Sequence, residues 1–285
     1  PAGACRSHAW CVLVQQCGWA KPKGSALSLT TAGRAVVASP SPEALRAGFA
    51  RFLGDDGFDE LNRIPNIRGQ TGNARRAMSR VSSRKHLVAA ALREWPVGEW
   101  IDFGDAIGFQ RAAGHSFTVC HEPYRLYFLS SDYGGLYDSD GLERQYMRVL
   151  LMESLGTLGL VDLAYAYPHG LWPEFDDCWG IDDLAFCGRY DGLLYVRLND
   201  LGAYCLGCRE TYEAPAVGAL FKALPNLELA ATVSNVSPAE AAMLDICATR
   251  KGDRVWRLDR GRILSHVEKG GTIDELTRFL ESHAA

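Results

Sequence analysis

The chain has 285 residues, of which 47% are hydrophobic and 22% are charged, and its formal net charge is −4 at pH 7. This composition is that of an ordinary globular protein, and it excludes a disordered tail, a collagen-like rod and a coiled coil. Any nucleic-acid site must therefore be a local basic patch. No apolar run approaches the roughly 20 residues that cross a bilayer, so we expect no membrane contact. The length favours two domains, with one or three as alternatives.

The first forty residues predict a helix, a hairpin and the start of another helix. Ser7 is a typical N-cap, and Gly18 provides the left-handed residue that ends a helix. Two short strands, 19–21 and 26–29, flank the turn sequence Pro-Lys-Gly-Ser. Thr30 or Thr31 then stands where the next helix needs a cap.

The same order of elements returns later in the chain. Helices are predicted from a cap at Ser82 or Ser83 to Trp95, over 103–112, and over 142–158, where apolar residues recur at i, i+4, i+7 and i+8. Strands over 160–165 and 194–198 follow, and Asn199 caps the next helix. Helix, glycine, strand, loop, strand and cap thus occur twice, which is typical of a winged helix, a helix-turn-helix closed by a β-hairpin.

The last seventy residues have a different pattern of predicted strands and helices. Strands are predicted over 227–233 and 255–258, and caps at Ser237, Asp259 and Thr272 each begin a helix. We therefore predict an α+β protein, with winged-helix units followed by a small α+β domain. The predicted divisions are 1–40 as the C-terminal part of a first winged helix, 41–81 as a helix plus basic linker, 82–213 as a second winged helix with a long acidic wing loop, and 214–285 as the terminal domain.

A basic stretch is the strongest electrostatic feature. Between Leu61 and Arg93 there are eight cations and no acid. Such a segment would neutralise phosphates, and the alternative is a solvated linker with incidental charge. Two arginines on the helix 142–158 are weaker candidates because Glu143 and Glu153 share that helix. The predicted nucleic-acid-binding residues are Arg68, Arg75, Arg76, Arg80, Arg84, Lys85, Arg144 and Arg148.

The long loop between Tyr165 and Leu194 is acidic. It carries five carboxylates together with Trp172, Phe175 and Trp179. An exposed loop pinned by its aromatic residues is favoured over a metal site or a protein-contact loop. Its charge would repel a duplex. The carboxylates are Glu174, Asp176, Asp177, Asp182 and Asp183.

Signatures of catalysis are missing from the sequence. There is no P-loop, no G-x-S-x-G elbow and no G-x-G-x-x-G at a strand-to-helix turn. Cys205 and Cys208 form a Cys-x-x-Cys, but a structural zinc site needs four ligands and the second pair is missing. Packed core thiols are favoured there, and a zinc enzyme remains the less favoured alternative. We expect no catalytic residue, no metal and no cofactor. Nine cysteines are too sparse for a disulfide scaffold, and six of them lie among apolar or small neighbours, as reduced core thiols do, which favours a reducing, cytoplasmic compartment. These six are Cys11, Cys17, Cys120, Cys187, Cys205 and Cys247.

Several segments together resemble a known family. Residues 224–229 (LPNLEL), 242–248 (AMLDICA), 253–259 (DRVWRLD) and 271–281 (GTIDELTRFLE) resemble the N-terminal domain of XPB-type helicases. The chain is similar to bacterial helicase-associated proteins that carry this domain. Residues 160–165 (LVDLAY) and 190–198 (YDGLLYVRL) resemble the winged-helix part of the same proteins. The likeness covers most of the chain and is strongest over 160–285.

The domain order is also similar to that of the TFIIH subunit that docks on XPB and stimulates its ATPase. The resemblance implies a non-catalytic adaptor that binds an XPB-type helicase in trans, or a motor region of the same longer chain, in repair, transcription or phage defence. A partner's strand would pair with an exposed strand edge of the terminal domain. The alternative is a free-standing protein that binds double-stranded DNA through residues 63–93. The predicted partner-binding residues are Leu227, Leu229, Val233, Trp256 and Leu258.

Overall fold

A computed structural model describes residues 2–72, 74–122, 125–130, 134–168, 186–214, 219–234, 236 and 238–285. The chain is a mixture of helices and small sheets, so the α+β class predicted from the sequence is confirmed. It divides into two compact units, Pro1–Tyr212 and Glu213–Ala285, which we call the N-terminal unit and the C-terminal unit. Most of the acidic loop, residues 169–185, lies outside the described residues.

The N-terminal unit contains small antiparallel sheets set among helices. Its sheets are β1–β2, β3–β5–β6 and β4–β8–β7, each written in the order of strand neighbours. The helices are α1 (Ala2–Gln16), α2 (Thr31–Ala38), α3 (Pro42–Gly54), α4 (Val81–Arg93), α5 (Phe103–Ala112), α6 (Ser139–Val149), α7 (Gly156–Leu158) and α8 (Asp200–Leu206). The strands are β1 (Ala20–Lys23), β2 (Ala26–Leu29), β3 (Ile67–Arg68), β4 (Ile101–Asp102), β5 (Tyr127–Ser130), β6 (Gly134–Leu136), β7 (Val161–Tyr165) and β8 (Leu193–Leu198).

Side-chain caps explain where several of these helices begin. The Thr30 hydroxyl accepts from the Gly33 N–H, and the Asn199 side chain accepts from the Gly202 N–H. Gly18 and Gly207 adopt the left-handed conformation that follows a helix end. Two predicted starts were wrong: α1 begins at Ala2 instead of Ser7, and α4 begins at Val81 without a side-chain cap.

A single hydrophobic core holds the N-terminal unit together. The core cluster includes residues from Ala9 to Leu206, so the segments 1–40, 41–81 and 82–213 all contribute to it. At its centre runs one continuous helical stretch, in which α6 passes through a π-helical segment, Leu150–Leu155, into α7. This stretch is buried on nearly every side, because Tyr146 and Leu151 are fully enclosed.

The C-terminal unit is a four-stranded antiparallel sheet with helices and a core of its own. Its sheet order is β11–β12–β10–β9, and Leu229, Trp256 and Leu276 belong to the core. Its strands are β9 (Phe221–Ala223), β10 (Glu228–Ala231), β11 (Ala248–Arg250) and β12 (Val255–Leu258). Its helices are α9 (Pro238–Cys247), α10 (Arg260–Glu268) and α11 (Ile273–His283).

The sequence missed both outer strands of this sheet, β9 and β11. Each has three residues, too short for an alternating pattern to stand out. Among the described helices of the whole chain, none is long and apolar enough to span a bilayer.

Candidate functional site

The basic stretch between Leu61 and Arg93 divides into a buried set and an exposed set. Arg84 and Lys85 are fully buried, and Arg148 on α6 is 5% exposed. Their charges face carboxylates inside the N-terminal unit, so these three residues do not form part of a phosphate-binding surface. The prediction that they bind nucleic acid was wrong because their partners come from distant parts of the sequence.

Arg84 and Lys85 lie on α4 and face the segment that follows α3. The Arg84 guanidinium is 2.5 Å from the Asp59 carboxylate and 4.5 Å from the centre of the Tyr146 ring. Lys85 Nζ is 3.3 Å from Glu60 Oε1 and donates to the carbonyls of Phe52 and Asp55. Buried charges are retained only where they are paired in this way.

Glu60 is the acidic centre of this arrangement. Tyr146 Oη donates to Glu60 Oε2 at 3.1 Å, and Lys85 pairs with the other oxygen. Burial raises the pKa of the Glu60 carboxyl above its usual value, and it raises the pKa of Tyr146 well above the usual value. We call Asp59, Glu60, Arg84, Lys85 and Tyr146 the buried ion cluster.

A neighbouring network ties the central helix to the residues before β8. Arg63 Nε donates to both oxygens of Glu153, which also accepts from the Tyr190 hydroxyl. Asp191 accepts from Gln145 at 2.7 Å, and Arg148 lies 3.7 Å from it. Burial raises the pKa of the Asp191 carboxyl. These contacts fix the packing of the central helix against the residues before β8.

Arg93, at the end of the basic stretch, is exposed, and its Nε donates to the Leu206 carbonyl oxygen. The exposed members of the stretch that the sequence predicted to bind nucleic acid are Arg68, Arg75, Arg76 and Arg80. Arg80 pairs with Asp56 at 3.1 Å, whereas the other three form no ion pair with any described residue. Arg144 on α6 is half-buried. The sequence therefore overestimated this patch: three of its eight predicted members are buried, and three exposed arginines remain without a carboxylate partner among the described residues.

A second group of cations was missed by the sequence reasoning. Lys21 and Lys23 on β1 and Arg34 on α2 line a shallow groove of about 620 Å³. The sequence does contain a signal for a basic surface here, because residues 1–42 include no aspartate or glutamate. We call Lys21, Lys23 and Arg34, with the groove that they line, the hairpin groove.

In the C-terminal unit the five predicted partner-binding residues range from buried to exposed. Leu229 and Trp256 are each 3% exposed and belong to the core, so the prediction that they contact a partner was wrong. Their strands, β10 and β12, each have a neighbour on both sides. Val233 and Leu258 are half-buried, and Leu227, which precedes β10, is 61% exposed.

The two outer strands of this sheet differ in what lies beside them. The free side of β9 is bonded to the end of the chain, because Leu220 N donates to His283 O and Ala285 N donates to Phe221 O. Beyond β11 the described residues contribute no further strand. The open edge of this sheet is therefore β11.

Hydrogen bonding identifies which groups of β11 point outward. Lys251 N donates to Val255 O, and Asp259 N donates to Cys247 O, on the side that faces β12. Because bonded and non-bonded positions alternate in an antiparallel pair, Ala248 and Arg250 direct their backbone groups to the open side. A partner strand would meet these groups first.

The cysteine pair does not form a clustered site. Cys205 is buried in α8, whereas Cys208 follows Gly207 and is exposed. Cys11, which the sequence placed among core thiols, is also exposed. The described residues contain no group of three or more His, Cys, Asp or Glu that would hold a metal ion.

No protein-family model matches this chain, and no curated protein matches it.

Proposed function

We propose that this protein is a non-catalytic adaptor whose C-terminal unit binds an XPB-type helicase. The observation that carries the proposal is the open β11 edge on a unit with its own hydrophobic core. A separate core lets the unit act as a docking module, and an unpaired strand is a template for a partner's strand. The resemblance to the N-terminal domain of XPB-type helicases supplies the identity of the partner.

We also propose that the N-terminal unit contains two winged-helix modules. The second module has the expected order of elements, which is α4, β4, α5, the helical stretch 139–158, β7 and β8. The sheet order β4–β8–β7 supports this interpretation. In the first, α1 leads into the β1–β2 hairpin and α2. Both hairpins are followed by a capped helix with glycine at its third residue, Gly33 and Gly202.

Strand addition at β11 gives the docking hypothesis a specific contact. The N–H and C=O of Arg250 would bond to the incoming strand, while its guanidinium lies 5.6 Å from the Trp256 ring and donates to the carbonyls of Gly252 and Asp253. Proline removes the outward N–H, and an edge strand tolerates it because that N–H is not used within the sheet. Arg250→Pro therefore tests the edge.

The experiment measures binding of the full chain to a purified XPB-type helicase from the same organism. We expect a complex at micromolar concentration that Arg250→Pro weakens about tenfold, which corresponds to about 1.4 kcal/mol. Arg250→Ala is the matched control, since it removes the same side chain and retains the N–H. No complex with the unmodified chain, or equal weakening by both variants, would reject docking through β11.

A second candidate function is binding of double-stranded DNA through Arg68, Arg75 and Arg76. These arginines are exposed, and no described carboxylate neutralises them. Phosphate contacts by such residues supply affinity without sequence specificity. The DNA-binding function is compatible with the adaptor, since the two use different units.

Salt titration of duplex binding tests this second function. Changing all three arginines to glutamine is expected to flatten the log–log salt slope by about 2.7, at roughly 0.9 per phosphate contact. The matched control changes Lys222, Lys251 and Lys269, three exposed cations of the C-terminal unit, to glutamine. Equal slopes for the two triple variants would count against this surface.

A further inference from the structure

The hairpin groove is formed by one face of the β1–β2 ribbon and the beginning of α2. Lys21 pairs with Ser28 and Lys23 pairs with Ala26 across the hairpin. Residues two apart on a strand point to the same face, so both lysines lie on one side, about 6.7 Å apart along the chain. Thr31 and Arg34 of α2 complete the lining.

Close packing holds the groove in shape. A Cβ atom at Gly33 would lie 1.9 Å from the Trp19 carbonyl oxygen, so α2 approaches the start of β1 as only glycine allows. The Thr30 hydroxyl donates to the Gly18 carbonyl at 2.7 Å. At the tip, Gly24 has a positive φ of 62° in a two-residue turn. The cations are thus displayed on a fixed framework.

Donors, and no acids, converge on this groove. Arg34 is oriented by bonds from its guanidinium to the Leu29 carbonyl and the Thr31 hydroxyl oxygen. Lys21, Lys23 and Arg34 are exposed and form no ion pair with any described residue. The first N–H groups of α2, at Thr31 and Ala32, have no acceptor within the helix, and they add partial positive charge.

We propose that the hairpin groove binds the phosphodiester backbone of a nucleic acid. Lysine and arginine side chains, hydroxyl groups and helix N-terminal N–H groups are the donors that proteins use for phosphate oxygens. A row of cations along a strand matches a polymer that carries one charge at each nucleotide. The inference shares its class of ligand with the second candidate function but names a different surface, so either surface can bind without the other.

Fluorescence anisotropy on the full chain tests the inference. The probes are a fluorescein-labelled DNA single strand, the same strand in a duplex, and an RNA of the same sequence. We expect the triple variant Lys21→Gln, Lys23→Gln, Arg34→Gln to bind the preferred probe roughly tenfold more weakly and to flatten its salt slope, by about 0.7 per lost contact on a single strand or about 0.9 on a duplex. Lys21→Arg with Lys23→Arg should retain binding because the charges remain.

The control variants separate this groove from the general charge of the chain. The triple change of Lys222, Lys251 and Lys269 to glutamine removes the same charge from exposed sites in the C-terminal unit and should leave affinity nearly unchanged. Equal weakening by both triple variants would overturn the inference. So would equally tight binding of a polyglutamate peptide, or no binding of any of the three probes.

Parallel measurement of the Arg68, Arg75 and Arg76 variant distinguishes the two nucleic-acid surfaces. Loss of binding in that variant alone overturns the hairpin groove and leaves the second candidate function in place. Loss in the groove variant alone supports the groove and rejects the arginine surface.

Discussion

The two units bury different kinds of side chain. Every buried polar or charged residue that the structure describes lies in the N-terminal unit, including Glu60, Arg84 and Lys85. The core of the C-terminal unit is apolar, with Trp256 as its largest residue. A buried ion pair adds little net stability, but removing one partner strongly destabilises the fold because the remaining charge is buried without a counter-charge. An apolar core responds instead to lost volume.

The largest effect on stability is expected from Lys85→Met, in the buried ion cluster of the N-terminal unit. The change leaves the Glu60 carboxylate buried without its cation, so we expect the free energy of unfolding to fall by about 3–5 kcal/mol. The measurement is chemical denaturation monitored by circular dichroism. The double variant Lys85→Met, Glu60→Gln should recover much of this loss, because no unpaired charge remains. A double variant as unstable as the single one would show that packing is the cause.

Trp256→Ala is expected to act on the C-terminal unit alone. Loss of a buried aromatic side chain costs about 3–5 kcal/mol, which should unfold this small unit and leave the other intact. Hydrogen exchange read by mass spectrometry locates the effect. Leu264→Ala, at a residue that is 51% exposed, is the control and should change stability by about 0.5 kcal/mol or less. Faster exchange in both units would contradict separate cores.

The buried carboxyl groups of the N-terminal unit should also make its stability depend on pH. Burial raises the pKa of Glu60 and of Asp191 in the folded state, so the folded chain binds more protons than the unfolded chain as pH rises above the usual values. Their contribution to the unfolding free energy therefore decreases with rising pH, by about 1.4 kcal/mol for each pKa unit. We expect Glu60→Gln to flatten this decrease in denaturation series between acidic and neutral pH. An unchanged slope would count against burial as the cause.

Cysteine labelling gives the smallest effect and needs no substitution. Burial raises the pKa of the Cys17 thiol to about 12 and that of Cys205 to about 11, while Cys11 and Cys208 are exposed. At mildly alkaline pH a maleimide should modify Cys11 and Cys208 before Cys17 and Cys205, since the thiolate is the reactive form. Peptide mapping reads the order, and denatured protein provides the control. Early labelling of Cys17 in native protein would contradict its packing.

The sequence predicted local structure better than burial. Caps at Asn199, Asp259 and Thr272 were correctly identified, and Thr30 is one of the two residues predicted to cap α2, because a cap depends on residues three positions apart. The burial of Arg84 could not be predicted in this way, since only the tertiary fold brings Asp59 next to it. Its spacing from Val81 and Val88 on the buried face of α4 was the one available hint.

For the candidate surfaces too, the sequence indicated local features but not the tertiary arrangement. The charge of the hairpin groove was readable as forty-two residues without an acid, but its concave shape was not. The order of strands in the C-terminal unit was also beyond a local pattern. Strand β10 is enclosed by β9 and β12, two elements on opposite sides of it in the sequence. Which strand lies at an edge is a property of the whole sheet.

The bonds between β9 and residues 283–285 have a practical consequence for handling the protein. His283 and Ala285 shield one margin of the sheet with two backbone hydrogen bonds. Deleting residues 283–285 would leave β9 unpaired on that side, so the sheet would have two open strand edges instead of one. Open edges on both sides allow copies to pair edge to edge, so we expect this deletion to promote self-association, and the segment should be retained in protein prepared for binding assays.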